Sequence, residues 1–251
     1  MIIASLNVRG LGGSVKKRKV RDLIFQNQID FMAIQESKLE SVDEMLCHSL
    51  WGSQDCLWAV LPSEGSSGGI ISIWRKSSSS LRLTFIGEGL VGVCLEWGVL
   101  KKVCFVVNVY AKCDSLAKRR LWEVLLMSKR GFGAGNWCVL GDFNSVASGG
   151  ERRGVSQESN FTSDMRDFVG FVDGMELVDL PLLGRHFTWF HPSGRAMSRI
   201  DRVLVSDDWL GCWGKVPYGC YSVTCLTIVR YYSSRMGMIG VPNLFVLTTR
   251  G

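Results

Sequence analysis

Between residues 57 and 109 the chain passes through four strand-like segments with no helical period among them. Residues 57–61, 69–74, 91–97 and 103–109 are short, apolar and rich in β-branched or aromatic side chains, and Gly and Ser clusters separate them. Such a run excludes a simple βα repeat, in which a helix would follow each strand. Elsewhere the period keeps changing. Residues 1–8 form an apolar run, and residues 16–28 place Val20, Leu23 and Ile24 at helical spacing behind a basic start. Residues 31–34 and 137–140 read as buried strands, and residues 116–129 as an amphipathic helix. Residues 161–171 read as a helix capped by Asn160, and residues 187–190 and 199–205 as two more strands. The pattern predicts an α/β fold: a four-layer sandwich of two packed mixed β-sheets flanked by helices. The patch at Ser77–Ser80 reads as a surface turn.

Composition narrows the class. The 251 residues are 47% hydrophobic and 21% charged, which suits a globular domain and excludes a largely disordered chain. No window of ~18 consecutive apolar residues occurs, so no membrane span is expected. Met1 to Ser5 lacks the pattern of a secretion signal, so an intracellular, reducing setting is expected. The nine cysteines show no CxxC spacing and read as free core thiols. A formal charge of +6 permits a polyanionic partner without establishing one.

Polar residues of a few types end the apolar runs: Asn7, Glu36, Asn108 with Tyr110, Asp142 with Asn144, and Asp201. Strand ends in such a fold converge on one rim. A carboxylate there can take a hard divalent ion, an Asn can hold a phosphate oxygen or water, and a Tyr can donate to a phosphoryl oxygen. Together they suit metal-assisted phosphodiester hydrolysis. Singly, each also fits a turn, a cap or a surface ion pair such as Asp201 with Arg199 and Arg202.

Five segments give this set its order: Ser5-Leu6-Asn7-Val8-Arg9-Gly10-Leu11, Ile34-Gln35-Glu36-Ser37, Asn108-Val109-Tyr110, Leu140-Gly141-Asp142-Phe143-Asn144, and Ser198-Arg199-Ile200-Asp201-Arg202 with Val203 to Ser206. They resemble the endonuclease/exonuclease/phosphatase superfamily over residues 1 to about 210. Phe187-Thr188-Trp189 ahead of the Arg-Ile-Asp segment resembles the N-terminal endonuclease domain of plant LINE-type retrotransposon polyproteins. Leu6 departs from the family's usual Trp.

The resemblance implies that Glu36 is the principal ligand of a Mg²⁺ or Mn²⁺ ion, with Asn7 beside it. Tyr110 would contact the scissile phosphate, Asp142 would orient or deprotonate the attacking water, and Asn144 would help position both. Asn7, Asn108 and Thr188 would contact substrate, and Asp201 would orient the family's catalytic histidine. The implied partner is DNA, nicked to leave a 3′-hydroxyl that primes reverse transcription; no obligate protein partner is implied.

The family's closing Ser-Asp-His motif is missing. The three histidines, His48, His186 and His191, all precede Asp201, and residues 209–251 contain no Asp or Glu. Where the motif belongs, the chain reads Val223-Thr224-Cys225-Leu226-Thr227-Ile228-Val229-Arg230. If Cys225 to Arg230 is encoded TGT CTG ACC ATT GTC CGN, reading one base earlier gives TCT GAC CAT TGT CCG, which is Ser-Asp-His-Cys-Pro. The same offset lets residues 238–251 read Asp-Asp-Trp-Gly-Pro-Lys-Pro-Phe-Arg-Phe-Asn-Asn-Ala-Trp, which resembles the segment after the endonuclease domain in plant elements. The expectation is a domain over residues 1–222, cut short at its last strands, and a frameshifted tail over residues 223–251. Half of the net positive charge lies in that tail, as Arg230, Arg235 and Arg250, so charge says little about DNA. Loss of the motif implies impaired turnover.

Other readings remain open at this level. Lys16 to Arg21 fits a nuclear localisation run or the solvated face of a helix. Residues 65–69 fit a hairpin loop better than a phosphate cradle. Trp189 and Phe190 fit base stacking or burial in a strand. The alternatives to a nuclease are an inositol phosphatase or sphingomyelinase of the same superfamily, and a non-catalytic nucleic-acid-binding relic.

Overall fold

A computed structural model describes residues 1–65, 67–154, 162–183, 186–213, 218–221 and 226–230. The first half runs β1 (Ile2–Asn7), α1 (Ser14–Gln26), β2 (Phe31–Gln35), α2 (Glu44–Trp51), β3 (Cys56–Glu64), β4 (Ser67–Arg75), β5 (Ser79–Gly87), β6 (Leu90–Trp97) and β7 (Lys102–Tyr110). Then come α3 (Ser115–Phe132), β8 (Asn136–Asp142), β9 (Arg152–Arg153), α4 (Ser163–Gly174), β10 (Leu177–Asp179), β11 (Leu182–Leu183), β12 (Trp189–Phe190) and β13 (Met197–Ser198). The chain continues through β14 (Asp201–Ser206), α5 (Asp207–Trp213), β15 (Tyr218–Tyr221) and β16 (Leu226–Arg230).

Two large mixed sheets result, ordered β11-β15-β16-β1-β2-β4-β3 and β10-β14-β8-β7-β6-β5, as the period changes predict. Strand alternation builds the layers. On β1, Ile3 enters the core between the sheets while Ala4 faces outward, and on β7 Val106 and Val107 divide the same way. Val20 and Ile24 of α1 and Leu50 and Trp51 of α2 cover the outer face of the first sheet. Leu121, Trp122 and Leu125 of α3 and Phe168 and Phe171 of α4 cover that of the second. A small third sheet, β12-β13-β9, lies outside what the periodicity suggests.

Several local readings change. Helix α2 is not apparent from the periodicity, although Asp43 caps it by accepting from the Leu46 N–H at 2.7 Å and Gly52 ends it at φ +89°. The serine patch turns at Ser77, but Ser79 already opens the edge strand β5, whose nine residues are held by pairing with β6. Asn160 and Phe161 lie outside the described residues; the cap of α4 is Thr162, whose hydroxyl accepts from the Met165 N–H at 3.3 Å. Cys113 is exposed, unlike the buried Cys47, Cys56, Cys94, Cys104 and Cys138.

Where the sheet is expected to stop, β15 and β16 continue it, and β16 pairs antiparallel with β1 from Ile2↔Arg230 to Leu6↔Leu226. Leu226-Thr227-Ile228-Val229 has the β-branched character that suits a strand. Residues 222–225 and 231–251, on which the frameshift junction and most of the tail fall, lie outside the described residues.

Candidate active site

The inner faces of the two sheets end in polar residues at one rim. Asn7 is the last residue of β1, Tyr110 of β7 and Asp142 of β8, Asp201 opens the antiparallel β14, and Glu36 follows β2. Asn7, Tyr110, Asp142 and Asp201 share their strands' alternation with core residues, so the rim is the end of the inter-sheet core rather than an outer surface, and Glu36 joins it from the turn after β2. Registers bring the groups together across the second sheet: Tyr110 stands beside Asp142 and Asp142 beside Asp201. Gly141 permits this closeness, because at φ +139° a Cβ there would lie 2.0 Å from the Val109 carbonyl oxygen.

Asn7 joins the two sheets by donating its side-chain N–H to Asp142 Oδ2 at 2.8 Å. Its Oδ1 accepts from the Arg9 N–H at 3.1 Å. Asp142 Oδ1 accepts from the Asn144 N–H at 3.0 Å. Burial and the neighbouring Asp201 carboxylate push the Asp142 pKa well above the usual carboxylate range, against the pull of these two hydrogen bonds. Burial, then Glu36 and Asp142, push the Tyr110 phenol up to about 12, so it keeps its proton at neutral pH. Glu36 sits at φ +55° with a partly exposed carboxylate that pairs with Lys38 at 3.3 Å.

Thr188 lies beneath Asp201. Its hydroxyl accepts from both the Ile200 and the Asp201 N–H at 3.0 Å, so the buried side chain fixes the strand rather than facing solvent. Asn144, at φ +46°, donates its side-chain N–H to the Ala111 carbonyl at 2.7 Å. Asn108, like Thr188, is a predicted substrate contact that the rim does not include: it is fully buried one layer down, between the sheets. Arg202 is also fully buried and forms no surface ion pair; it and Arg199 bind Glu151 and Asp179 on the outer side of β14.

Two lysines emerge only in three dimensions. Buried Lys118 of α3 donates to the Asn144 carbonyl at 2.7 Å and to both Asp164 oxygens at 3.0 Å. Lys16 donates to the carbonyls of Val8, Arg9 and Gly10 at 2.9, 3.0 and 2.9 Å, fixing the loop after Asn7. That gives the first member of the basic run an internal task. Neither carried a sequence signal beyond its charge.

His48 lies on α2 against Trp58, and His191 bonds Ser193 at 2.8 Å beside β12. Among the described residues no group of three His, Cys, Asp or Glu side chains is close enough to enclose a metal ion. The donors present are a partly exposed carboxylate, an amide oxygen and two buried carboxylates. This open, hard-oxygen set fits an ion such as Mg²⁺, which takes one or two carboxylates and keeps water and substrate oxygens. Among the described residues no helix is long and apolar enough to cross a membrane.

Comparison with known proteins agrees with this architecture. The model of the Endonuclease/Exonuclease/phosphatase family matches residues 4–220. Among solved structures, the 3′ phosphatase NExo from Neisseria, bound to a product DNA hairpin, is similar at TM-score 0.70 and 18% identity, over 92% of this chain and 99% of that one. The AP endonuclease LMAP from Leishmania major is similar at TM-score 0.68 and 17% identity, over 90% and 86%. The endonuclease domain of TRAS1, a telomere-specific non-LTR retrotransposon, is similar at TM-score 0.68 and 12% identity, over 94% and 99%. A search of the curated proteins finds no match.

Proposed function

Because the chain belongs to the endonuclease/exonuclease/phosphatase family, we propose that its rim descends from one that hydrolyses phosphodiesters in DNA with Mg²⁺ or Mn²⁺, as in LINE-type endonucleases, and that turnover in this chain is impaired. The observation that carries the reading is the assembly of Asn7, Glu36, Tyr110, Asp142 and Asp201 at one end of the inter-sheet core. The DNA hairpin bound by the Neisseria relative and the retrotransposon origin of TRAS1 support DNA as the substrate class.

Glu36, with Asn7 beside it, would hold the ion. When bound, the ion offsets negative charge developing on the phosphoryl group. The protein's own groups do the rest. Tyr110, protonated at neutral pH, donates a hydrogen bond to a phosphoryl oxygen. Asp142, made more basic by burial and by Asp201, orients a water and accepts its proton. Asn144 fixes Asp142 through its N–H, and Thr188 fixes the backbone at Asp201.

Residues 192–251 contain no histidine, so this stretch supplies no imidazole for Asp201 to orient. Loss of a general acid or base typically costs ~10²–10⁴-fold in rate. We attribute the loss to a frameshift near Ser222; sequencing the encoding nucleic acid tests this, and it fails if codons 225–230 do not contain Ser-Asp-His-Cys-Pro in the earlier frame. A supercoiled-plasmid assay with Mg²⁺ tests the function. The expected result is little or no nicking. Robust Mg²⁺-dependent nicking that Glu36→Ala abolishes overturns the impairment, whereas turnover only of phosphomonoester or lipid substrates overturns DNA as the substrate.

A further inference from the structure

Four polar side chains interrupt the apolar core between the sheets. Ser5, Gln35, Ser72 and Asn108 are each at most 3% exposed. Strand alternation points all four inward, in step with Ile3, Ala33, Trp74 and Val106. Three belong to the first sheet, on β1, β2 and β4; Asn108, on β7, is the member from the second. Gln35 donates through Nε2 to Ser5 Oγ at 3.0 Å and to Asn108 Oδ1 at 2.6 Å. Asn108 returns its own N–H groups to the Ile71 carbonyl at 3.1 Å, Ser72 Oγ at 3.2 Å and the Ile34 carbonyl at 3.4 Å.

Burying four polar side chains gains little net stability over an apolar core of the same shape. Gln35 Oε1 has no hydrogen-bond partner among the described residues, but the bonds made through Gln35 Nε2 and Asn108 still fix one geometry, because a slip would leave further polar groups unpaired in a low-dielectric interior. This network lies directly beneath the rim. Asn7 is paired in register with Gln35, Glu36 follows Gln35 in the chain, and Tyr110 lies two residues beyond Asn108, in register with Asp142. Sliding of one sheet over the other would therefore be felt first at the Asn7–Asp142 hydrogen bond, which spans the same gap one layer out.

We propose that Gln35 and Asn108 form an inter-sheet amide lock that sets the gap between the two halves of the rim. They are positioning residues, acting on the site through Asn7 and Asp142. The lock does not depend on the proposed function; its effect on metal affinity rests on that reading.

The test uses the full chain with Asn108→Leu, Gln35→Leu and the double variant, and Asp142→Ala as a reference. The readout is the Asn7 side-chain amide signal in ¹⁵N NMR spectra, with the thermal midpoint as a folding control. The double variant removes both members of the amide pair but takes a partner from buried Ser5 Oγ and Ser72 Oγ, so it is expected to fold with a thermal midpoint below the parent's. Its Asn7 signal is expected to move at least half-way to the position it takes in Asp142→Ala. An unmoved Asn7 signal in a folded double variant overturns the proposal and leaves the pair as packing. If the double variant does not fold, Asn108→Ser, too short to reach Gln35, is read by the same criterion. Mn²⁺ titration forms a second arm, in which the lock variants are expected to bind about 10–100-fold more weakly than the parent. A parent that binds no Mn²⁺ overturns the metal reading of the rim, while the Asn7 signal still decides the lock.

Discussion

Strand β14 carries buried charge on both faces, and the two faces follow opposite rules. On the outer face, Arg199 and Arg202 meet Glu151 and Asp179, and the Arg202 guanidinium also lies 5.0 Å from the Phe168 ring centroid. Cation and anion alternate there. Burial pushes the Glu151 carboxyl up, but the Arg202 hydrogen bond and charge, the Ala147 N–H and Arg199 outweigh it and hold the group below its usual range. On the inner face, Asp201 stands in register with Asp142, and Glu36 adds a third negative charge to the environment of Asp142. One face is neutralised and joins the loop at Glu151 and strand β10 to the sheet. The other gathers like charge, which costs stability and prepares the rim for a cation or a proton.

Breaking the neutralised face has the largest expected effect. Arg202→Met leaves the buried Glu151 and Asp179 to share the single cation Arg199 and is expected to cost about 3–5 kcal/mol in urea unfolding. A loss below about 1 kcal/mol would mean that the network is dispensable and the comparison false. Thr188→Val removes the hydroxyl that takes two backbone N–H groups beneath Asp201, at an expected cost of about 1–3 kcal/mol. Asp142→Asn should move stability the other way, by about +0.5–2 kcal/mol, because it removes one of two facing carboxylates. A destabilised Asp142→Asn would show that the inner face is compensated after all.

Acidification separates the faces most finely. The folded pKa of Asp142 is raised, so in a chelator its contribution to stability grows as pH falls through that folded value toward the unfolded ~3.9. The folded pKa of Glu151 is lowered, so its contribution is intact above the unfolded ~4.3 and is lost as pH falls through the folded value. Denaturation midpoints measured on the way down should therefore rise and then fall. Burial also raises the folded pKa of Asp179 on the outer face, against the pull of Arg202 and Arg199, so Asp142→Asn should reduce the rise without abolishing it, and Arg202→Met should abolish the fall.

The rim residues are legible in the sequence because residue type and strand end coincide: a strand that stops in Asn7 or Asp142 announces a polar edge. Glu151, Lys118 and the role of Asn108 are not legible, because their partners lie far along the chain. Asn108 shows the limit plainly. Its place beside Tyr110 suggests substrate contact, but two residues along a strand is one layer down, and that layer is buried. The two sheets follow from the run of helix-free strands, whereas β5 does not: its serines read as a turn, and only pairing with β6 makes it a strand. Helix α2 was available from Asp43 and Gly52, but at eight residues it is too short for periodicity to find.

The pairing of β1 with β16 has a consequence for synthesis. Ile2 meets Arg230, so one side of an early strand waits for nearly the whole described chain. At about 5–20 residues per second on a ribosome, that wait is on the order of 10 s or more. During it β1 can pair with β2 through a local crossover, but its other row of amide and carbonyl groups stays open to a wrong strand. Chaperone demand during translation is thus written into the order of the strands, whatever chemistry the finished rim performs.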